Sequence, residues 1–254
     1  MSAPTSEERR DELAGRLAAV RERLPPATGP LNRRIGGRRA AGRDPSDVAL
    51  LTVTKFFPAS DAVLLHELGC ECFGESREQE ASAKIAEFRE SVDAPVEWHM
   101  IGRVQRNKAR AVARWAHTVH SVDSLRLVQA FEKGVRAALD AGERTAPLRA
   151  LLQVSLDGDR ERGGVVAEDL PALAEAVAAS EVLELGGLMG VPPLGWEPER
   201  AFEQLHDMHA RFLQDHPAAA ELSAGMSGDL EHAVRWGSTC VRVGTAVLGY
   251  RPLA

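Results

Sequence analysis

The chain has 254 residues, of which 44% are hydrophobic and 27% charged, and its 31 basic and 37 acidic side chains give a net charge of −6. This composition excludes disordered, collagen-like and coiled-coil proteins, and the acidic balance argues against binding to nucleic acid or to an anionic membrane surface. No apolar run approaches the roughly 18–20 residues that span a bilayer.

The N-terminal residues and the cysteine content predict the cellular compartment of the protein. Met1 to Arg16 is charged and lacks the apolar core of an export signal. The chain has three cysteines, an odd number that argues against a disulfide framework and for a reducing compartment. We therefore predict a cytoplasmic protein.

The first 45 residues are predicted to be helices that pack on a domain formed by residues 46–254. Residues 6–23 carry apolar side chains at helical spacing, and the segment LPPATGP ends that helix. A second, arginine-rich helix is predicted from about Asn32 to Ala41. The arginines between Arg33 and Arg43 are interpreted as a solvated helix face.

The rest of the chain alternates between short apolar runs and helical segments. The predicted strands are Val48–Thr54, Cys70–Gly74, Glu97–Ile101, Thr118–Val122, Leu148–Leu156, Leu183–Met189, Glu221–Met226 and Cys240–Thr245. The predicted helices are Ala59–Leu68, Ser76–Glu90, Arg106–Trp115, Ser124–Ala141, Ala167–Ser180, Pro198–Gln214 and Asp229–Trp236. Eight such units predict an α/β protein with a single (β/α)8 TIM barrel. The alternative, a doubly wound open sheet, would call for a glycine-rich nucleotide-binding turn, and neither GxGxxG nor GxxxxGK[ST] occurs.

A lysine stands at the end of the first predicted strand, where the active sites of such barrels lie. Only four lysines occur among the 31 basic residues, and Lys55 follows the apolar run directly. Burial beside apolar side chains favours a neutral amine, which can condense with an aldehyde. An inert lysine that reaches out to the barrel rim is the alternative at this point.

The last two strand ends supply a candidate anion site. Ser227 lies in a small-residue turn before a helix, and Arg242 and Gly244 share one face of the last strand, followed by Thr245. Exposed backbone N–H groups, hydroxyls and one arginine suit a phosphate, and loops seven and eight are its usual position in this fold. A Schiff-base lysine facing a phosphate site suggests pyridoxal 5′-phosphate (PLP). A class I aldolase acting on a sugar phosphate remains open on these grounds.

Seven ordered motifs are similar to those of a known family: LLTVTK, FGESREQE, WHMIGRVQRNK, HSVD, GLMGVPP, LSAGMSGD and GSTCVRVGTAVLG. Over about residues 46–250 the chain resembles the YggS/PROSC family, the PLP homeostasis proteins. The resemblance implies a single barrel similar to the N-terminal domain of alanine racemase, with PLP as cofactor.

The resemblance also implies roles for individual residues. Lys55 would carry the Schiff base, and Ser227, Gly244 and Thr245 would bind the phosphate. Arg242 would face the pyridine nitrogen or a neighbouring polar edge, and Met226 would line the ring pocket. Ser76 is also predicted to be a cofactor-binding residue. It stands where the family usually has an asparagine, which leaves open what replaces the amide contact there.

The residues predict a protein that binds, holds and releases PLP without substantial catalysis of its own. A racemase needs acid/base groups on both faces of the substrate carbon, and in alanine racemase a tyrosine from another domain serves the second face. The only tyrosine of this chain is Tyr250, near the C-terminal end of the sequence. An arginine at the ring nitrogen would also weaken the electron sink. A PLP-dependent racemase-type enzyme and, less favoured, a Schiff-base aldolase are the alternatives. Transient partners would be apo-PLP enzymes, and the protein would be a monomer or a weak dimer.

Three further features are interpreted as structural. His206 and His209 with His216 are expected at a helix surface and not at a metal. Cys70 and Cys72 are expected to be buried. His99 is left open between a buried strand histidine and a residue of the pocket.

Overall fold

The computed structural model describes residues 5–24, 48–159 and 162–250. Within them eight parallel strands form a closed barrel in chain order, which confirms the predicted α/β fold. The predicted helix Asn32–Ala41 and the arginines from Arg33 to Arg43 lie outside the described residues. The described part contains no helix that is both long and apolar enough to span a membrane.

The strands occupy the predicted segments, but five of them end earlier than predicted, three of these by two residues or more, and the second strand starts two residues later. They are β1 (Ala49–Val53), β2 (Cys72–Glu75), β3 (Glu97–Met100), β4 (Thr118–Val122), β5 (Leu148–Gln153), β6 (Leu183–Met189), β7 (Glu221–Ser223) and β8 (Cys240–Val243). The predicted extensions of β5 to Leu156, of β7 to Met226 and of β8 to Thr245 are wrong. The chain turns soon after β7 because Gly225 has a φ of +92°, a backbone conformation suited to glycine.

The helices also follow the prediction, except for one near the end of the described chain. They are α1 (Ser6–Glu22), α2 (Ala59–Glu67), α3 (Glu78–Ser91), α4 (Ala109–Trp115) after a 3₁₀ turn at Arg106–Lys108, α5 (Leu125–Asp140), α6 (Leu170–Ala178), α7 (Pro198–Asp215), α8 (Leu230–Arg235) and α9 (Thr245–Leu248). The sequence assigned Thr245 to a strand, whereas it begins the short helix α9. This places the start of a helix directly at the barrel mouth.

Helix α1 joins the two sides of the closing seam of the barrel, where β1 pairs with β8. Thr5 and Glu8 form a capping box at its start, and its apolar face is buried. Arg9 donates to Asp61 in the first turn of α2 and to the carbonyl of Leu248 in α9, at 2.7 and 3.0 Å. Arg23 donates to Glu231 and to the carbonyl of Ser227, at 2.6 and 3.0 Å. The helix thereby braces the loops that follow β7 and β8.

The main hydrophobic core lies between the strands and the surrounding helices. The interior of the barrel contains a smaller apolar cluster together with buried polar side chains. A small apolar cluster of Leu51, Cys72 and Cys240, with Ala49 and Ile101 against it, fills one part of the interior. Branched apolar side chains usually fill such interiors. Here much of the interior is polar, and those groups lead towards the candidate site.

Candidate functional site

Lys55 lies at the mouth of the barrel, two residues after the end of β1. Leu51 points into the barrel, and side chains alternate along a strand, so Val53 and Lys55 continue the inward face. The lysine is half-buried, and its Nζ lies 5.8 Å from the centroid of the Phe56 ring. Phe56 has a φ of 69°, a left-handed conformation that is uncommon for a bulky residue. A tight turn therefore fixes the chain directly after the lysine.

A buried ion pair fixes the chain directly before the lysine. The Lys84 ammonium, on α3, lies 2.5 Å from Oε1 of Glu75 and donates to the carbonyl of Thr54 at 2.7 Å. The Thr54 hydroxyl donates to the same carboxylate oxygen at 2.7 Å. Thr54 and Glu75 have no exposed surface, and Lys84 is 8% exposed. This cluster was not predicted from the sequence, although a lysine nine positions after a glutamate at a strand end could have indicated an ion pair.

The surroundings of the other lysines single out Lys55 for carbonyl chemistry. The Lys84 amine is engaged in the buried pair. Lys108 lies 3.4 Å from Glu78, and Lys133 is exposed on α5, in the outer layer. Among the described residues, no carboxylate lies within ion-pair distance of Lys55.

The candidate phosphate site lies beside β1. A side chain at Gly244 would put its Cβ 3.2 Å from the Val53 carbonyl, so a glycine lets β8 end close to the strand that carries the lysine. Gly244 caps α9, and Thr245 is its exposed first residue. The Ser227 hydroxyl accepts a hydrogen bond from the Ala246 amide at 3.2 Å. The structure thus brings Ser227, Gly244 and Thr245 together at the start of α9, and their contact with a phosphate stays a prediction.

Two other predicted site residues frame the mouth. Met226, 40% exposed, lies beside Ser227, and its amide donates to the Asp229 carboxylate at 2.6 Å. Ser76 follows β2, the strand next to β1, and is half-buried. A Cβ at Gly102 would meet the Ser76 carbonyl at 2.1 Å, so the two loops touch through their backbones. These positions suit a pocket wall.

Arg242 lies inside the barrel, two residues before Gly244 on the same face of the chain. Its Nη1 donates to the Ser223 hydroxyl at 2.7 Å, and its Nη2 donates to the Gly190 carbonyl at 3.0 Å. The residue is 5% exposed, and burial lowers the pKa of its guanidinium. Of its five N–H donors, three remain available to a ligand.

The histidine left open in the sequence is a buried strand histidine with an interior partner. His99 Nδ1 lies 2.8 Å from Nε2 of His120, whose Nδ1 lies 2.9 Å from the Ser223 hydroxyl. All three side chains have no exposed surface. The sequence analysis did not single out His120 or Ser223, because their partners are distant in the chain.

The remaining predictions on histidines and cysteines have mixed outcomes. His206 is exposed, but His209 is 7% exposed, so the surface interpretation is wrong for His209. Its position on α7 follows Met208 on the face that packs against the barrel. No cluster of metal-ligating side chains occurs in the described ranges. Cys70 and Cys72 are buried as predicted, and burial raises the pKa of both thiols.

Comparison with known proteins gives the family. The sequence family described as alanine racemase, N-terminal domain, matches residues 46–252. The chain belongs to this family. Within it, the pyridoxal phosphate homeostasis protein of Mycobacterium leprae is 51% identical over 95% of this chain and 94% of its own length. The Escherichia coli K12 protein of the same name is 35% identical over 95% and 97%.

Solved structures agree with the family assignment. PipY of Synechococcus elongatus, solved with PLP bound, has a TM-score of 0.76 and 32% identity, covering 93% of this chain and all of PipY. Alanine racemase of Corynebacterium glutamicum, at 16% identity and a TM-score of 0.65, shares the fold over 96% of this chain and 62% of its own. The predicted resemblance to the PLP homeostasis proteins is confirmed.

Proposed function

We propose that this protein binds PLP as a Schiff base on Lys55 and serves in PLP homeostasis by holding and releasing the cofactor. One observation carries the proposal: at the seam between β1 and β8, Gly244 lies against Val53, two residues before the half-buried Lys55, and the Ser227 hydroxyl contacts α9 one residue after Thr245. The names of the relatives and the PLP bound to PipY support the same cofactor.

The residues present fit PLP. Lys55 offers an amine without a carboxylate partner among the described residues, and Gly244 leaves room where a larger side chain would meet Val53. Ser227 and Thr245 offer hydroxyls to a phosphate, and helix-start N–H groups favour an anion. Arg242 would hold the ring end. When bound, PLP supplies an aldehyde and a ring that withdraws electrons.

The site supports a carrier better than a racemase. Tyr250, the only tyrosine, is 91% exposed beyond α9 and does not reach into the barrel as the second-face acid/base of a racemase must. A guanidinium beside the pyridine nitrogen also opposes its protonation, which weakens carbanion chemistry. Apo-PLP enzymes are the proposed recipients, in the reducing cytoplasm that suits three buried thiols.

Borohydride reduction followed by peptide mapping tests the lysine. We expect the native protein to show a visible Schiff-base band and the label to fall on Lys55. Lys55→Ala should lose the band, while the matched Lys133→Ala on α5 keeps it. A label on Lys84, Lys108 or Lys133 would refute the assignment, and a protein without a PLP chromophore would favour the aldolase.

Incubation of the loaded protein with L-amino acids tests the carrier. We expect no sustained racemisation or α-proton exchange, and activation of an added apo-PLP enzyme. Turnover at about 1 per second or faster, an ordinary enzymatic rate, would favour the racemase instead.

A further inference from the structure

Four polar side chains cross the barrel interior in one line that ends at Arg242. Their contacts run from β3 through β4 to β7, at 3.5, 2.8 and 2.9 Å, and the arginine follows at 2.7 Å. We call these four residues the interior chain: Glu97, His99, His120 and Ser223. Glu97 is the end that reaches solvent, since its side chain is 32% exposed and the other three are fully buried.

The arginine at the inner end needs this chain. Arg242 forms no ion pair within 4 Å among the described residues, and the charge that favours its ionised form comes from the more distant Asp229 carboxylate. The guanidinium is buried, and a buried charge without hydrogen-bond partners is costly. It donates to two acceptors, the Ser223 hydroxyl and the Gly190 carbonyl. Because the arginine donates to Ser223, the serine hydroxyl keeps its own proton for another acceptor. The Nδ1 atom of His120 lies 2.9 Å from the serine hydroxyl and can be that acceptor.

Assigning a donor and an acceptor to each remaining contact gives the direction of all hydrogen bonds in the interior chain. If Nδ1 of His120 accepts from Ser223, the neutral ring carries its proton on Nε2 and donates to Nδ1 of His99. His99 then carries its proton on Nε2, which faces Oε2 of Glu97 at 3.5 Å. This distance is longer than a hydrogen bond, yet an N–H facing a carboxylate is favourable and a lone pair there is repulsive.

The charges around the interior chain support a neutral His120 ring. Burial, His99, Arg242 and Arg149 all lower the pKa of His120, which is held well below its usual value. Arg149 of β5 is itself paired with Glu221 of β7, at 3.2 Å. Burial raises the pKa of Glu97, but the facing His99 ring and the positive charge of Arg149 outweigh it and lower that pKa overall. A negative end at Glu97 and a positive end at Arg242 thus bracket the two rings.

We propose that the interior chain is a directional hydrogen-bond chain that positions Arg242 for the ring end of the cofactor. Every acceptor in it faces the guanidinium and every donor faces Glu97. The aligned dipoles present their negative ends to the arginine, which stabilises its charge and fixes which N–H groups remain free. The part that concerns the cofactor rests on the proposed function. The members are positioning residues, because the geometry places only Arg242 towards the ligand.

Ring-nitrogen NMR of the full-length protein tests the direction without the cofactor. With 15N-labelled histidine we expect the His120 ring to be neutral between about pH 6 and 8, with its proton on Nε2 and directed at Nδ1 of His99. A proton on Nδ1 of His120, or a charged ring there, would overturn the chain. Glu97→Gln removes only the outer charge, and we expect it to weaken the tautomer preference of His99. A spectrum identical to that of the native protein would also count against the proposal.

Paired serine variants test the positioning role. Ser223→Ala removes the link to Arg242, and we expect about tenfold weaker binding of both PLP and pyridoxal, the loss typical of one hydrogen bond to a charged group. The pH at which the visible band changes should also shift. Ser238→Ala is the matched control, since that serine is 4% exposed and donates to the Ala224 carbonyl outside the chain.

The outcomes separate the two proposals. Native-like affinity and spectrum in Ser223→Ala would overturn the positioning role and leave the PLP function intact. Equal shifts in Ser223→Ala and Ser238→Ala would show a general structural effect and overturn it as well. If the native protein binds no PLP, the proposed function fails, whereas the tautomer measurement still decides the direction of the chain. If Ser223→Ala does not fold, Glu97→Gln provides the binding test, and an unchanged affinity there would overturn the role.

Discussion

The buried pair of Lys84 and Glu75 gives a sharp test of how the lysine at the barrel mouth is held. Lys84→Met removes an ammonium that contacts the Glu75 carboxylate at 2.5 Å and the Thr54 carbonyl at 2.7 Å. The carboxylate is then left without its counter-charge at a site with no exposed surface. The Thr54 hydroxyl still donates to Oε1, but Oε2 of Glu75 has no hydrogen-bond partner, so one neutral donor is all that remains for the carboxylate.

We expect Lys84→Met to lower the free energy of unfolding by about 3–5 kcal/mol, the typical cost of breaking a buried pair. At about 2–4 °C per kcal/mol for a chain of this size, Tm should fall by about 6–20 °C. Urea unfolding measures the first quantity and calorimetry the second. Lys84→Met combined with Glu75→Leu should recover much of the loss, because no unpaired charge remains. The exposed Lys133→Met should change stability by less than about 0.5 kcal/mol. A cost below about 1 kcal/mol for Lys84→Met would refute the reasoning.

Three further outcomes follow from the site and its surroundings. Ser227→Ala and Thr245→Ala should each weaken PLP binding by about 10–150-fold and leave pyridoxal binding nearly unchanged, as equilibrium titration would show; equal losses would exclude contact with the phosphate. Burial is the first cause that lowers the pKa of His117 and His120, so the unfolded chain binds more protons below pH 6.5 or so. Stability should therefore be lost as pH falls from there, by up to about 1.4 kcal/mol per pH unit for each ring, and flat urea midpoints between pH 7 and 5 would contradict this. Thiol reagents should label the three buried cysteines slowly in the native protein and fully in urea; fast native labelling would show that the interior opens readily.

The barrel and its lysine could be predicted because their signals are local. Each strand is a short apolar run, and Lys55 follows one directly, so no knowledge of distant contacts is needed. The glycine and hydroxyl residues of the phosphate site also lie in two short segments. The family motifs added roles for these positions that the residues alone left open.

The polar interior could not be predicted because its partners are far apart in the chain. His120 and Ser223 are 103 positions apart, and their contact depends on the register of strands on opposite sides of the barrel. The pairing of β4 with β5 also shifts between Val119 and Val122, so simple alternation does not give the direction of every side chain. The burial of Lys84 was hidden for the same reason, since it depends on how α3 packs on the end of β1.

The contacts of α1 with the loops after β7 and β8 determine when the barrel can close during synthesis. Arg9 reaches the carbonyl of Leu248 across 239 positions, and Arg23 reaches that of Ser227 across 204. Contacts over such separations form late, because the chain between them must first be ordered. During synthesis, β1 and the lysine that follows it therefore leave the ribosome long before β8, which closes the barrel by pairing with β1. The protein can therefore retain PLP only after the whole chain has been made. PLP that binds to the completed chain would stabilise the closed barrel relative to partly folded states, because it binds only to the closed form.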